Sequence, residues 1–189
     1  MRKKIINTLV VTTALFLMIL IYFNQYPINN NTDSIQMALC DFIIDPNLEY
    51  SKLDKSNLDT LEIKKMQDIG NRMLVLFSYH RDGKEFFAYA KLKKGLYSRY
   101  EIMSTSHAGG YTFSRTDLRT NKKVYRVVMG KNFGREISSF KLNIDGLEFS
   151  SDISKEDYFI RFFEIPENIS RFDKLMLYDE ENNNITDEV

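Results

Sequence analysis

Met73-Leu74-Val75-Leu76-Phe77-Ser78-Tyr79-His80-Arg81-Asp82-Gly83-Lys84-Glu85-Phe86-Phe87-Ala88-Tyr89-Ala90-Lys91-Leu92 sets two apolar and aromatic runs on either side of an Asp-Gly pair. Asp-Gly supplies the positive φ angles of a tight hairpin turn, so this stretch predicts antiparallel strands over 73–80 and 85–92. Phe86, Ala88, Ala90 and Leu92 then share one face of the second strand. The period of two begins near Leu61 and continues outward. Lys94-Gly95 turns the chain into a strand over 96–104, and further strands are expected over 111–117, 124–129 and 137–144. Asp145-Gly146 marks a second tight turn into 147–153. Residues 158–165 are apolar on both faces apart from Arg161 and Glu164, which reads as a central strand ended by Pro166. Residues 174–178 give the last strand. About nine strands joined mostly by hairpins predict a mainly β fold, an antiparallel β-sandwich or incomplete barrel.

Ahead of this domain stand Met1-Arg2-Lys3-Lys4 and a nearly continuous apolar run from Ile5 to Phe23. About 19 residues at 1.5 Å each make a helix of roughly 28 Å, close to the hydrocarbon thickness of a bilayer. Thr12 and Thr13 can bond back to their own helix, and Asn7 lies near the headgroups. Basic residues before the run place the amino terminus in the cytoplasm, with Tyr22, Phe23 and Tyr26 near the opposite interface. The expectation is an uncleaved signal anchor, single-pass in the cell membrane, over 1–23. A cleaved signal is the rival, but Asn24-Gln25-Tyr26-Pro27-Ile28-Asn29 holds no small-x-small cleavage pattern. Met37-Ala38-Leu39-Cys40 is no lipobox, because Leu39 stands where a small residue is needed.

Residues 24–32, with Pro27 and Asn29 to Asn31, read as a tether. A short amphipathic helix follows, capped by Thr32, Asp33 or Ser34, with Ile35, Ala38, Leu39 and Phe42 on one face. The extracytoplasmic β-rich domain is set at 33–179, and 180–189 at an acidic, flexible tail. About 165 residues beyond the anchor suffice for one core. A single cysteine allows no internal disulfide, and Cys40 is read as a small packed residue beside the helix face.

The formal net charge is zero, yet residues 81–135 hold 13 basic and 4 acidic side chains while 136–189 hold 5 basic and 14 acidic. Adjacent hairpins of opposite charge would cancel in space; a basic face would suit anionic lipid or wall polymers. Nucleic acid is a poor partner for a domain outside the membrane.

Gly130-Lys131-Asn132-Phe133-Gly134-Arg135 joins two strands and lacks the phosphate-cradling pattern that opens a helix, yet Lys131 and Arg135, with Lys122 and Lys123, are candidates to bind an anion. Ser104-Thr105-Ser106-His107-Ala108-Gly109-Gly110-Tyr111-Thr112 gathers hydroxyls and an imidazole in one loop, where Ser104 or Ser106 and His107 could form a nucleophile and base. No orienting acid or oxyanion site is identifiable, and a Gly-Gly turn explains the loop more simply. The two histidines lack metal-ligand spacing, the acidic tail lacks a calcium-loop spacing, and no cofactor is called for. The many strand tyrosines, Tyr89, Tyr97, Tyr100, Tyr111, Tyr125 and Tyr158, are read as packing residues unless a subset is exposed on one face.

The basic leader, apolar helix and Asn-rich tether, with Asp145-Gly146-Leu147-Glu148-Phe149 after Gly130-Lys131-Asn132, then Tyr158 to Pro166 and Leu177-Tyr178-Asp179-Glu180-Glu181-Asn182, resemble small signal-anchored extracytoplasmic β-rich proteins of low-GC Gram-positive bacteria. The resemblance implies no catalytic residues. The expected role is non-catalytic: a membrane-tethered β-domain that binds a protein partner or an anionic envelope component. The alternatives are a hydrolase-like enzyme using the Ser104-His107-Tyr111 loop and a structural subunit of a membrane complex.

Overall fold

A computed structural model describes residues 2–44, 61–81, 84–107, 113–132, 136–169 and 174–186. The chain begins with a long helix, α1 (Arg2–Gln25), passes through a two-residue strand, β1 (Ile28–Asn29), and enters a second helix, α2 (Thr32–Ile44). Strands follow: β2 (Glu62–Ile69), β3 (Arg72–Arg81), β4 (Lys84–Lys94), β5 (Arg99–His107), β6 (Phe113–Arg119), β7 (Val124–Lys131), β8 (Ser139–Ile144), β9 (Leu147–Asp152), β10 (Tyr158–Ile165) and β11 (Lys174–Tyr178). The fold is mainly β, with eleven strands among the described residues in place of the nine expected. β1 is too short to announce itself, and β2 lies where the period of two begins but is interrupted by a bulge between Ile63 and Lys65 that slips its alternation by one residue.

The strands form curled antiparallel sheets in the orders β1-β5-β4-β3-β2, β10-β7-β6 and β11-β8-β9. Strand alternation assigns their faces to three cores. Met73, Val75, Phe77 and Tyr79 of β3 and Ala88, Ala90 and Leu92 of β4 meet Ile35, Leu39 and Ile43 of α2. The opposite face of the same sheet, Leu74, Leu76, Phe87 and Tyr89, packs on Leu118, Val127, Met129 and Ile160 of the middle sheet. The middle sheet turns Val124, Val128, Phe159 and Ile165 toward Phe140, Leu142, Ile144 and Leu177 of the third. The order is therefore helix, sheet, sheet, sheet. Both faces of β3 are buried, as its continuous apolar run requires.

β10 corrects one expectation: among the described residues it pairs only with β7 and so lies at a sheet edge, not in the centre. Its apolar residues on both faces report two packed neighbours, not two paired edges. The face turned to the third sheet also holds a polar pair, the buried Arg126 bonded at 2.6 Å to Asp117 directly across the ladder. Between the first two sheets, Lys65 of β2 bonds Glu156, which also accepts from Arg161 of β10.

Residues 24–32 are more than a bare tether. Tyr26 and Ile28 are buried, and Ile28 and Asn29 pair with Tyr100 and Arg99. α2 is capped one residue earlier than expected: the Ser34 amide donates to the Asn31 Oδ1 at 2.7 Å. Cys40 is half-buried against the first core. The acidic tail folds back through Thr186, with the Ile185 amide donating to the Leu177 carbonyl at 2.9 Å and the Leu177 amide to Thr186 Oγ1 at 3.0 Å. Asp179 opens that reversal by accepting from the Asn183 amide at 2.7 Å, and hydrogen bonds from Asn183 hold its carboxyl below the usual range. Asp82 and Gly83 of the first expected turn lie outside the described residues; Asp145 and Gly146 of the second adopt φ 49° and 84°.

Candidate functional site

α1 carries one stretch long and apolar enough to cross a membrane, Asn7–Gln25, and its side chains from Leu9 to Phe23 are almost all exposed. Thr12 Oγ1 donates to the Thr8 and Leu9 carbonyls at 3.0 and 2.9 Å, so this hydroxyl is satisfied inside the helix. The helix ends on a built joint. Arg99, the first residue of β5, donates from Nε to the Tyr26 carbonyl at 2.6 Å, from Nη2 to the Pro27 carbonyl at 2.5 Å and from Nη1 to Asn29 Oδ1 at 2.7 Å. Its guanidinium also lies 4.7 Å from the ring centre of Phe23. A planar fork is the side chain that can reach three acceptors at once.

The turn between β4 and β5 closes the joint. Tyr22 donates its hydroxyl to the Leu96 carbonyl, and Lys93 lies 5.3 Å over the ring of Tyr26. A hydrogen bond with Tyr26, reinforced by Coulombic attraction, raises the Lys93 pKa above the usual lysine value. Gly95 is required here by proximity: a Cβ on it would stand 2.8 Å from the Tyr26 ring and 2.9 Å from the Tyr22 hydroxyl. The next residues, Leu96–Ser98, form a single 3-10 turn in which Tyr97 and Ser98 both adopt φ 53°, a left-handed conformation uncommon for residues with side chains.

Beside the joint is a shallow basin lined by Gly70, Asn71, Lys94, Gly95, Asn121 and Lys122. This places Lys122, expected as an anion ligand, in the same basin as Lys94. Lys123 is committed to Glu164 at 2.5 Å, a bond that raises its pKa. Lys131 closes the other end of β7, roughly 23 Å along the strand from Val124, so the structure separates it from Lys122 and Lys123. Arg135 lies outside the described residues. Asn132, next to Lys131, is buried and structural: its side chain donates to the Ile137 and Ile153 carbonyls at 2.7 and 3.2 Å.

The serine-histidine stretch is corrected in part. Ser104, Ser106 and His107 are strand residues of β5, opposite Lys91, Tyr89 and Ala88 of β4, and are not in a loop. A register shift beside Met103 sets this pairing. Ala108 to Thr112, including Tyr111, lie outside the described residues. Among the described residues, no group of three or more His, Cys, Asp and Glu is placed to hold a metal ion.

Sequence reading missed Arg99, Gly95 and Tyr22 as a unit. The available signal was an Arg directly after a Gly-containing turn, but its acceptors lie about 70 residues earlier and only the fold brings them together. Comparison with known proteins returns nothing for this chain: no family model, no curated protein and no solved structure matches it.

Proposed function

We propose that the chain is a membrane-tethered, extracytoplasmic β-domain with a non-catalytic binding role. α1 serves as an uncleaved signal anchor, single-pass with its amino terminus in the cytoplasm, and the β-domain offers a binding surface to a protein partner or an anionic envelope component. The observation that carries this reading is the Arg99 joint. A flexible tether would only keep a domain near a membrane, whereas three charge-assisted bonds to Tyr26, Pro27 and Asn29 hold the sheet at a fixed height and orientation above the end of α1. A fixed pose matters to a surface that must meet something else fixed to the envelope. The basin holding Lys122 is the anion-compatible part of that surface, its second lysine, Lys94, lying 3.5 Å from the Asp68 carboxylate.

The test is cross-linking of the full-length tagged protein in intact cells, with α1 fused to an unrelated domain as control. A component retained by the native chain, lost with the control and weakened by Lys122→Glu supports the role. Capture identical to the control, or robust turnover of an envelope substrate by the purified protein, overturns it.

A further inference from the structure

We infer that the turn Gly95–Arg99 is itself a bilayer contact, with Tyr97 and Leu96 seated in the headgroup interface beside α1. The inference rests on the reading of α1 as a membrane anchor. Tyr22, whose hydroxyl bonds the Leu96 carbonyl, belongs to the apolar span Asn7–Gln25 and lies three residues before its end. Three residues are about 4.5 Å of helix, within the few ångströms of headgroup region that flank a hydrocarbon core. Helical side chains also slant toward the N-terminal end of their helix, here the bilayer side, so a group bonded to the Tyr22 hydroxyl is drawn toward the membrane. The turn cannot stand clear of a bilayer that α1 spans.

Its side chains suit that position. Tyr97 is 90% exposed and Leu96 67% exposed, a largely apolar pair presented outward by the turn. Amphipathic tyrosine is favoured at the headgroup level, where its ring is buried and its hydroxyl stays wet. The backbone supports the same conclusion: Tyr97 and Ser98 hold φ 53° in succession, a conformation for which Gly or Asn would serve a mere turn better. A large ring kept at a strained, fully exposed position points to a partner for that ring. Lys93 and Lys94 stand at the strand end just before the turn, Lys93 lying 3.9 Å from Glu101 and Lys94 3.5 Å from Asp68, so the contact is carried by Tyr97 and Leu96 and not by net charge.

The chain has no tryptophan, so one introduced indole reports one position. Full-length Tyr97→Trp would be reconstituted in vesicles of phosphatidylcholine and phosphatidylglycerol carrying lipids brominated at shallow acyl positions, with a parallel set brominated near the acyl ends to reach an indole at the middle of the span. The expected result is a blue-shifted indole that loses most of its emission to the bromines. Lys155→Trp, in the exposed turn before β10 at the other end of the middle sheet, should stay red and unquenched. Phe16→Trp in α1 separates the two readings. An unquenched Tyr97→Trp with a quenched Phe16→Trp overturns the turn contact and leaves the anchor standing; loss of quenching at both removes the anchor and the contact with it. Leu96→Trp gives the same readout should the Tyr97 variant fail to fold, and an unquenched Leu96→Trp in a folded protein also overturns the inference.

Discussion

Gly95 and Gly146 each sit in a turn between two strands, and they are there for opposite reasons. Gly146 has φ 84°, follows Asp145 at φ 49°, and has nothing within 4 Å of the place a Cβ would take. It answers a backbone demand in open space. Gly95 has an ordinary extended backbone, φ −95° and ψ −163°, and answers a demand for room against Tyr26 and Tyr22. The left-handed residues of its turn are Tyr97 and Ser98, where glycine would have been easier. One turn obeys local propensity; the other gives it up for contacts with α1, and that departure is what marks the joint as more than a connection.

The largest difference between the two should appear on adding side chains. Gly95→Val must displace the Tyr26 ring or the end of α1, and overpacking of this kind costs about 2–3 kcal/mol. Thermal unfolding in detergent micelles should show that loss, with faster amide exchange at Ile28 and Asn29. Gly146→Ala meets no atom and should cost only about 1 kcal/mol, through φ alone. Equal losses would mean that the glycine at 95 is not held there by close approach.

Arg99→Ala should follow, with a loss of about 2 kcal/mol, because it deletes charge-assisted bonds to two carbonyls and one amide. Arg99→Lys should recover little of it, since an ammonium has no fork to span the three acceptors. Full recovery by lysine would reduce the joint to a point charge. Tyr97→Asn, by contrast, should change the stability of the micelle-bound protein by less than about 1 kcal/mol, because the easier left-handed conformation of asparagine offsets the loss of the ring's contact with the micelle surface. A clear loss instead would show that the Tyr97 ring packs on the protein.

What the sequence disclosed and what it concealed divide along the same line. Residues 158–165 and 174–178 emerge as strands over the ranges read from their apolar runs, and Asp145-Gly146 announces its turn, because propensity and pattern are local. β1 carries no pattern of its own in two residues; pairing with Tyr100 and Arg99 alone makes it a strand. Edge position was equally hidden in β10, whose apolar faces record what covers them and say nothing of its unpaired edge. Among the anion candidates, the sequence grouped lysines that share a charge, and the fold set Lys122 in a basin, tied Lys123 to Glu164 and sent Lys131 to the opposite end of β7. Arg99 was invisible because its value lies in acceptors that only tertiary structure delivers.

The smallest effects are those of pH, and they separate the joint from the seam between the first two sheets. At the seam, Glu156 lies below the usual glutamate pKa because Arg161, and then Lys65, hydrogen-bond its carboxylate. A depressed folded pKa adds stability above the unfolded value, and this is lost as pH falls through the folded one. The joint behaves in the opposite sense. Its acceptors are carbonyls and an amide, which do not titrate, and Lys93 is raised above 10.5 by Tyr26, so its contribution is complete below that value and disappears as pH rises through the folded pKa. Alkali also reaches the seam through Tyr158, which burial pushes from 10.0 up to about 12; its stabilising effect is full below 10.0 and gone above the higher value. Amide exchange followed from below pH 4.5, where Glu156 takes up its proton, to alkali should therefore show β2 and β10 losing protection at both extremes, and Ile28 and Asn29 losing it only in alkali. Acid loss at Ile28 and Asn29 ahead of β10 would mean that a carboxylate, not Arg99, holds α1 to the sheet.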